Sequence, residues 1–323
     1  MQSKTVNIVM AIYNPNLNYF EKQLRSLNNQ TYKNITLTFV DDYSDFGQIV
    51  KKVIEKNITK FSYNILVNTK NIGSNKTFEK LTALCVCDYI AYCDQDDIWH
   101  EDKIRLNVDE LERSDSVLVY SDLEVIDERD ITRFGSLREC RKRVVHKEGF
   151  GLWKYFVRMN SITGCTMMVN ANVVRQAIPF PEKEYAWDQW VSILGAMAGR
   201  VAYIKIPLVK YRIHSKNQIG AKKLIGIRNR EQYIEKRIMA EIGQCELLLS
   251  TIDDEEVRKT VEIMKKRVEK RAVCLKEPSL VNIIRNTDLL FRDFKLFLME
   301  TCIALDKRNE GRDIIEYVKK TRY

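Results

Sequence analysis

The sequence predicts an α/β architecture, a mainly parallel sheet flanked by helices, followed by a helical C-terminal region. Three observations carry that expectation. Up to about residue 125, short apolar runs alternate with segments of helical spacing. Each of the first four runs ends in a polar cluster, and open α/β sheets bind ligands at the carboxyl ends of their strands. From Lys222 onward proline nearly vanishes and apolar residues fall into helical stripes.

Taken in order, Val6–Ile12 is a short apolar run suited to a buried strand, and Leu17–Leu27 has helical spacing at Leu17, Phe20, Leu24 and Leu27. Ile35–Val40 reads as a second strand, followed by a helix around Ile49–Glu55. Tyr63–Val67 is a third strand and Asn75–Leu84 a helix; Tyr89–Cys93 and Val117–Tyr120 are further strands. Strands alternating with helices imply right-handed crossovers and a sheet covered on both faces. The next stretch, to about residue 220, is less regular. It predicts a helix near Gln189–Ala198 and two strands, Val201–Ile204 and Leu208–Arg212. The tail has an apolar stripe at Val257, Val261, Met264 and Val268, and reads as three or four amphipathic helices. The expected division is 1–220 and 221–323.

Composition narrows the function classes. Apolar residues make up 45% and charged residues 30% of 323, which is a globular composition. No window approaches about 18 uninterrupted apolar residues, and the N-terminus runs directly into a strand. Neither a transmembrane helix nor a signal peptide is expected. Eight cysteines sit mostly singly, and Cys85 with Cys87 has no second Cys/His pair to complete a zinc site, so reduced thiols of a cytosolic protein are expected. The net charge of +9 invites a nucleic-acid partner, yet bases and acids are interspersed, as in Glu255–Glu262, and no nucleic-acid motif is present. An anionic membrane surface or a phosphate-bearing substrate accounts for the excess equally well.

The polar clusters are Tyr13-Asn14, Asp41-Asp42, Asn68–Asn71 and Asp94–Asp97. The turn Ala11–Pro15 has no glycine, which excludes a dinucleotide fingerprint, and no GxxxxGK[ST] run exists. A diphosphate must therefore be neutralised by metal. Carboxylates spaced two apart, such as Asp94 and Asp96, point the same way as a strand leaves its sheet and can share one cation and one ribose. An acidic strand-to-loop turn is the plainer alternative.

The motifs Val6–Asn14, Val40–Asp45, Asn71–Asn75 and Cys93–Trp99 resemble those of family 2 inverting glycosyltransferases of GT-A fold, a Rossmann-like nucleotide-diphospho-sugar transferase architecture. Thr163–Met168, Trp187–Trp190 and Tyr211–Asn217 continue the match in order, over roughly residues 5 to 220. The DQDDIW and YRxHxxN forms look most like the bacterial rhamnosyltransferase branch, which builds cell-wall and capsular polysaccharides. The resemblance implies a nucleotide site of Ala11, Tyr13, Asn14, Asp41, Asp42, Asn71, Gly73, Asp94 and Gln95. One of Asp41 and Asp42 would accept the imide N–H of uracil or thymine; an acidic turn capping the helix at Ser44 is the alternative. Gly73 and Asn71 open a helix whose backbone N–H groups favour the diphosphate. Asp96, with Asp97 and His214, would hold Mn²⁺ or Mg²⁺, the Lewis acid for the departing nucleoside diphosphate.

By the same resemblance Asp188 is the base that takes the proton of the acceptor hydroxyl, although an aspartate there also suits a helix cap. Trp187 and Trp190 would stack on sugar rings, Arg212 would pair with phosphate near the sugar, and Gly164, Cys165 and Thr166 would line the acceptor side. Two departures stand out. The branch usually has His-Asp where this chain has Trp187-Asp188, and Tyr43 replaces the commoner glycine.

The expected reaction moves one sugar, with dTDP-rhamnose favoured over a UDP-hexose or UDP-N-acetylhexosamine. The acceptor is an oligosaccharide or polyprenol-linked glycan at the cytoplasmic face of the plasma membrane. A nucleotidyltransferase would need a glycine- and arginine-rich loop after the first strand, and an inactive glycan-binding protein would have lost Asp96 or Asp188. The region from Arg133 to Asn160 reads as an acceptor-side loop of unassigned course. Basic residues of the tail (Arg228, Arg230, Lys236, Arg237, Lys265–Arg267, Lys270, Arg271) suit a solvated face, an anionic lipid surface or a homodimer contact.

Overall fold

In unit 1 the first strand sets the pattern. Val6, Ile8, Met10 and Ile12 of β1 (Val6–Ile12) face the apolar stripe Phe20, Leu24 and Leu27 of helix α1 (Leu17–Asn28). Asn16 starts that helix by accepting the N–H groups of Asn18 and Tyr19. The computed structural model describes residues 3–142, 144–214, 224, 226–306, 308 and 310–321. The chain divides into two compact units, Met1–Gln218 and Ile219–Tyr323.

After α1 come β2 (Ile35–Asp41), α2 (Gly47–Asn57), β3 (Ser62–Val67), α3 (Ser74–Leu84), β4 (Tyr89–Cys93), β5 (Ile98–Trp99) and α4 (Lys103–Ser114). They are followed by β6 (Leu118–Ile126), β7 (Thr132–Phe134), and the short helices α5 (Leu137–Cys140) and α6 (Trp153–Arg158). The unit then continues through β8 (Met167–Asn170), α7 (Ala171–Arg175), α8 (Trp187–Ala198) and β9 (Val201–Arg212). Among the described residues the strands form one mixed sheet in the order β3-β2-β1-β4-β8-β6-β9-β5, with β7 on β6. The β3-β2-β1-β4 half is parallel throughout, as the strand–helix alternation predicts. Its carboxyl ends therefore gather Ile12–Asn14, Asp41-Asp42, Asn68 and Asp94–Asp97 along one edge.

Two departures come from the second half of the sheet. β8, a short strand that apolar patterning did not single out, inserts antiparallel between β4 and β6. The two strands expected at Val201–Ile204 and Leu208–Arg212 are one, β9. Its pairing with β6 slips at Pro207, from Ser121↔Ile204 to Asp122↔Pro207, because proline has no N–H to place in the ladder.

Unit 2 is helical. Its segments are Arg230–Tyr233, a π-helical stretch Ile234–Ile238, Met239–Thr251, Glu255–Lys276, Leu280–Ile284, Thr287–Arg292, Phe294–Leu305 and Arg312–Thr321. That is more than the three or four expected. Capping side chains cut the apolar pattern into pieces: Asp254, Ser279 and Asp293 each accept an N–H from the first turn that follows. Of the anticipated stripe, Val261 and Val268 are buried while Val257 and Met264 are half-buried. Arg271 lies in this core, bonded to Glu300 at 2.7 and 2.9 Å, and Tyr233 donates to the same carboxylate. No helix among the described residues is long and apolar enough to cross a membrane.

Candidate active site

The site is built at the carboxyl edge of β1, β2 and β4. Strand β1 ends in Ala11, half-buried, then Ile12 and Tyr13, whose ring is exposed. Gln95 holds Tyr13 by its backbone, accepting Tyr13 N–H at 2.9 Å and donating to its carbonyl at 3.1 Å. Asn14, with φ 42°, donates its backbone N–H to Ser44 Oγ, and its side chain donates to the Asp45 carboxylate and accepts the Asp45 N–H. Gln95 and Asn14, expected to contact nucleotide, thus tie the ends of β1, β2 and β4 together. Tyr43 has φ 69°, the left-handed region that explains why a glycine suits this turn, and its side chain is 57% exposed.

Asp41 and Asp42 are both buried. Asp41 accepts Ser44 N–H at 2.9 Å, the turn-capping alternative, and a side chain on Gly47 would press on its carboxylate. Asp42 accepts Asn68 Nδ2 at 2.7 Å and the N–H groups of Ile72 and Gly73, each at 2.9 Å. The Gly73 amide, expected to face an anion, is therefore already committed to Asp42. Gly73 itself, at φ 83°, is the cap of α3, and Asn71 is exposed beside it.

The acidic turn after β4 divides its labour. Asp96 Oδ2 meets His214 Nε2 at 2.7 Å. Asp97 is fully buried, and its Oδ1 accepts Arg212 N–H at 3.0 Å. Ligand atoms of Asp94, Asp97 and Cys165 lie within 4.8 Å of one another. Burial, then the Asp96 charge and then Asp188 raise the Asp94 carboxyl to about 7. Burial first, and then Asp96 and Asp94, raise Asp97 well above the ordinary range. Crowded carboxylates with a histidine against one of them are a donor set that suits a hard divalent cation. The Cys165 thiol, pushed far up by burial and then by Asp97 and Asp94, stays protonated and is a poor ligand for such an ion. Arg212 N–H engages only Oδ1 of Asp97, so of the expected trio Asp96 and His214 meet directly while Asp97 stands in the cluster with Asp94.

Asp188 stands in the first turn of α8. Its Oδ1 accepts Asn160 Nδ2 at 3.1 Å and Gln189 N–H at 2.7 Å. Burial pushes its carboxyl up to about 6, against the downward pull of backbone donors at Gln189 and Gly164 and of Asn160. The charge of Asp188 is felt at Asp94, so the tertiary fold brings residues 94 and 188 into one site. Asn160 was missed in the sequence because it closes a region with no periodicity.

Several expectations are corrected by burial. Trp187 is buried against Phe78 and Tyr92, with ring centroids at 4.1 and 4.6 Å, and Trp190 donates its indole N–H to Ala177 O at 2.8 Å beneath Tyr185. Neither ring has a free face for a sugar. Gly164, Cys165 and Thr166 form a buried 3₁₀ turn, a floor under the carboxylates instead of an open acceptor wall. Gly164 is required there because a Cβ would enter the Trp187 ring. Arg212 is fully buried: Nε donates to Asp96 O, Nη1 to Asp127 O and Asp130, and the guanidinium lies 4.3 Å from the Tyr19 ring. It positions the acidic turn and is not placed for phosphate. His214 also packs near Tyr19. Ser215–Asn217, the end of the expected motif, lies outside the described residues.

With the geometry in place, comparisons with known proteins add the following. The model of "Glycosyl transferase family 2" matches residues 7–173. The amylovoran biosynthesis glycosyltransferase AmsB of Erwinia amylovora is 26% identical over 132 residues, 39% of this chain and 44% of that protein. An uncharacterised glycosyltransferase of Haemophilus influenzae is 28% identical over 228 residues, 65% of each. The dTDP-rhamnosyl transferase RfbG of Shigella flexneri is 28% identical over 66% of this chain and 74% of that protein. The chain thus spans 44% and 65% of the length of the first two relatives. Among solved structures, S. aureus TarS 1-349 in complex with UDP-GlcNAc has a TM-score of 0.61 at 12% identity, covering 99% of this chain and 93% of that one. At that identity the likeness is one of fold alone.

Proposed function

This chain belongs to glycosyl transferase family 2 and is a glycosyltransferase acting on nucleotide sugars, and from that premise we propose a metal-dependent inverting transfer with Asp188 as the base. One observation carries the reading: Asp188 is held by Asn160 and the Gln189 amide within the field of Asp94, at the edge where the acidic turn gathers.

In this mechanism the acceptor hydroxyl oxygen attacks the anomeric carbon. Asp188 takes the hydroxyl proton, and the bond from the anomeric carbon to the diphosphate oxygen breaks with its electron pair leaving on the nucleoside diphosphate. Asp96 with His214, together with Asp97 and Asp94, would hold Mn²⁺ or Mg²⁺, which supplies Lewis-acid stabilisation of the leaving diphosphate. Arg212 fixes the acidic turn that presents them, through Asp97 Oδ1 and the Asp96 carbonyl. Exposed Tyr13 and Tyr43 flank the nucleotide end of the edge. A pKa near 6 leaves Asp188 ionised at neutral pH yet basic enough to accept a proton.

The likeness to RfbG, together with the DQDDIW and YRxHxxN motifs, favours dTDP-rhamnose as donor, with the sugar going to a surface polysaccharide or lipid-linked glycan made on the cytoplasmic side. A UDP-sugar is the second reading, favoured by the fold shared with TarS bound to UDP-GlcNAc. Calorimetric titration with dTDP, UDP and GDP, each with Mn²⁺ and with EDTA, separates them: dTDP is expected to bind best and only with metal. Asp188→Asn is expected to abolish transfer while donor binding persists; full activity in that variant would remove Asp188 as base.

A further inference from the structure

Unit 2 leaves a run of large apolar side chains uncovered. Leu280 is 79% exposed and Phe291 87%, and Ile284, Phe294 and Leu298 are each at least half exposed. All lie on the three short helices Leu280–Ile284, Thr287–Arg292 and Phe294–Leu305, spaced four apart on the first and third of them. Single exposed leucines need no explanation, but six exposed apolar side chains within nineteen residues, Val281 among them, do.

The charges interleaved with them indicate what covers this surface. Arg285, Arg292 and Lys295 are exposed, and among the described residues none makes an ion pair. The acids of the same stretch are occupied. Asp288 pairs with Arg267 at 3.2 Å, and Asp293 accepts Leu296 N–H as a helix cap. The segment therefore offers apolar side chains together with unneutralised cations, which matches a bilayer surface of anionic headgroups over acyl chains. A second copy of the chain fits less well, because a two-fold contact would gather the same cations from both copies into one interface.

We propose that residues 280–298 dock on an anionic membrane surface, lying in the interface with Ile284, Phe291 and Phe294 inserted and Arg285, Arg292 and Lys295 at headgroup level. This inference rests on unit 2 and is independent of the catalytic assignment. No described helix is both long and apolar enough to span, and the proposed contact is one of lying on the membrane.

The test is co-sedimentation of the full chain with vesicles of phosphatidylcholine alone and of phosphatidylcholine with phosphatidylglycerol, at low and raised salt. Binding is expected only with phosphatidylglycerol and is expected to weaken with salt. Ile284→Ser/Phe291→Ser and Arg285→Gln/Arg292→Gln/Lys295→Gln are each expected to lower vesicle affinity by about tenfold or more. All five positions are exposed, so helical content by circular dichroism should be unchanged. Absence of vesicle binding by the unsubstituted chain, or binding that both variants retain, would overturn the proposal. So would light scattering that shows a dimer dispersed by Ile284→Ser/Phe291→Ser without any lipid binding, which would assign the face to self-association.

Discussion

Replacing Gly164 by alanine adds one carbon where the structure has no room for it. A Cβ there would sit inside contact distance of Trp187 Cζ2 and Cη2, more than about 1 Å short of ordinary carbon–carbon separation, and 3.4 Å from Asp188 Cβ. The indole cannot easily retreat, since Phe78 and Tyr92 pack against it at 4.1 and 4.6 Å. The head of α8 must shift instead, and Asp188 is the next residue on it. Overpacking of this kind costs about 1–3 kcal/mol, a fall of roughly 2–10 °C in Tm for a unit of this size. A base displaced by about 1 Å loses on the order of 100-fold in turnover. Gly164→Ala is therefore expected to keep nucleotide binding, lose several degrees in a thermal melt, and lose most of kcat with little change in donor KM. Gly164→Ala/Trp187→Phe removes the ring atoms in conflict and should recover part of both losses. A Gly164→Ala enzyme with native Tm and kcat would refute the claim that this turn and α8 are tightly coupled.

Three further outcomes are expected. Activity should fall about tenfold per pH unit below about 6, because Asp188 must be ionised to accept a proton and its carboxyl is raised to about 6; a profile flat down to pH 5 would exclude it as base. Arg212→Met should lower stability by at least about 2 kcal/mol. That is less than the 3–5 of a fully buried pair, because Asp130 is a third exposed. It should also weaken metal-dependent nucleotide binding, read by calorimetry, since the Asp96 carbonyl loses the guanidinium that holds it. Lys103 is fully buried, its ammonium lies 3.7 Å from the Trp99 ring centroid and has no hydrogen-bond acceptor among the described residues, and burial lowers its pKa to about 8. The unfolded chain, with an ordinary lysine pKa of about 10.4, then binds more protons than the folded one, so stability contributed here rises between about pH 8 and 10. Lys103→Met should be the more stable protein at pH 7, by on the order of 1–3 kcal/mol, with the gain shrinking above pH 8. A variant less stable at every pH would mean that the contact with Trp99 outweighs the cost of burying the ammonium.

Local signals were enough for the first four strands and their helices. The alternation of short apolar runs with 3.6-residue spacing depends on neighbours in sequence, and the order β1, α1, β2, α2, β3, α3, β4 follows from it. The acidic turn was equally legible, because Asp94, Asp96 and Asp97 lie within four residues of each other and follow an apolar strand. The tail was legible as helical, but its number of helices was not. Whether Asp254, Ser279 or Asp293 caps a helix or simply faces water depends on how the chain turns.

The direction in which a side chain faces was decided only by tertiary structure. Trp187 and Trp190 carry both an apolar body and a donor, so the sequence suits a sugar platform and a buried strut alike; Phe78, Tyr92 and Ala177, brought from other elements, made them struts. Arg212 likewise suits phosphate or a set of buried carbonyls, and the approach of the β6–β7 turn with Asp127 and Asp130 settled it. Asn160 joined the site from a segment without a pattern, because contacts across long loops leave no period in the sequence. The sequence alone determined which chemistry-bearing groups the chain has and which strand ends carry them. The fold decided which of those groups face the substrate, because burial depends on neighbours far away along the chain.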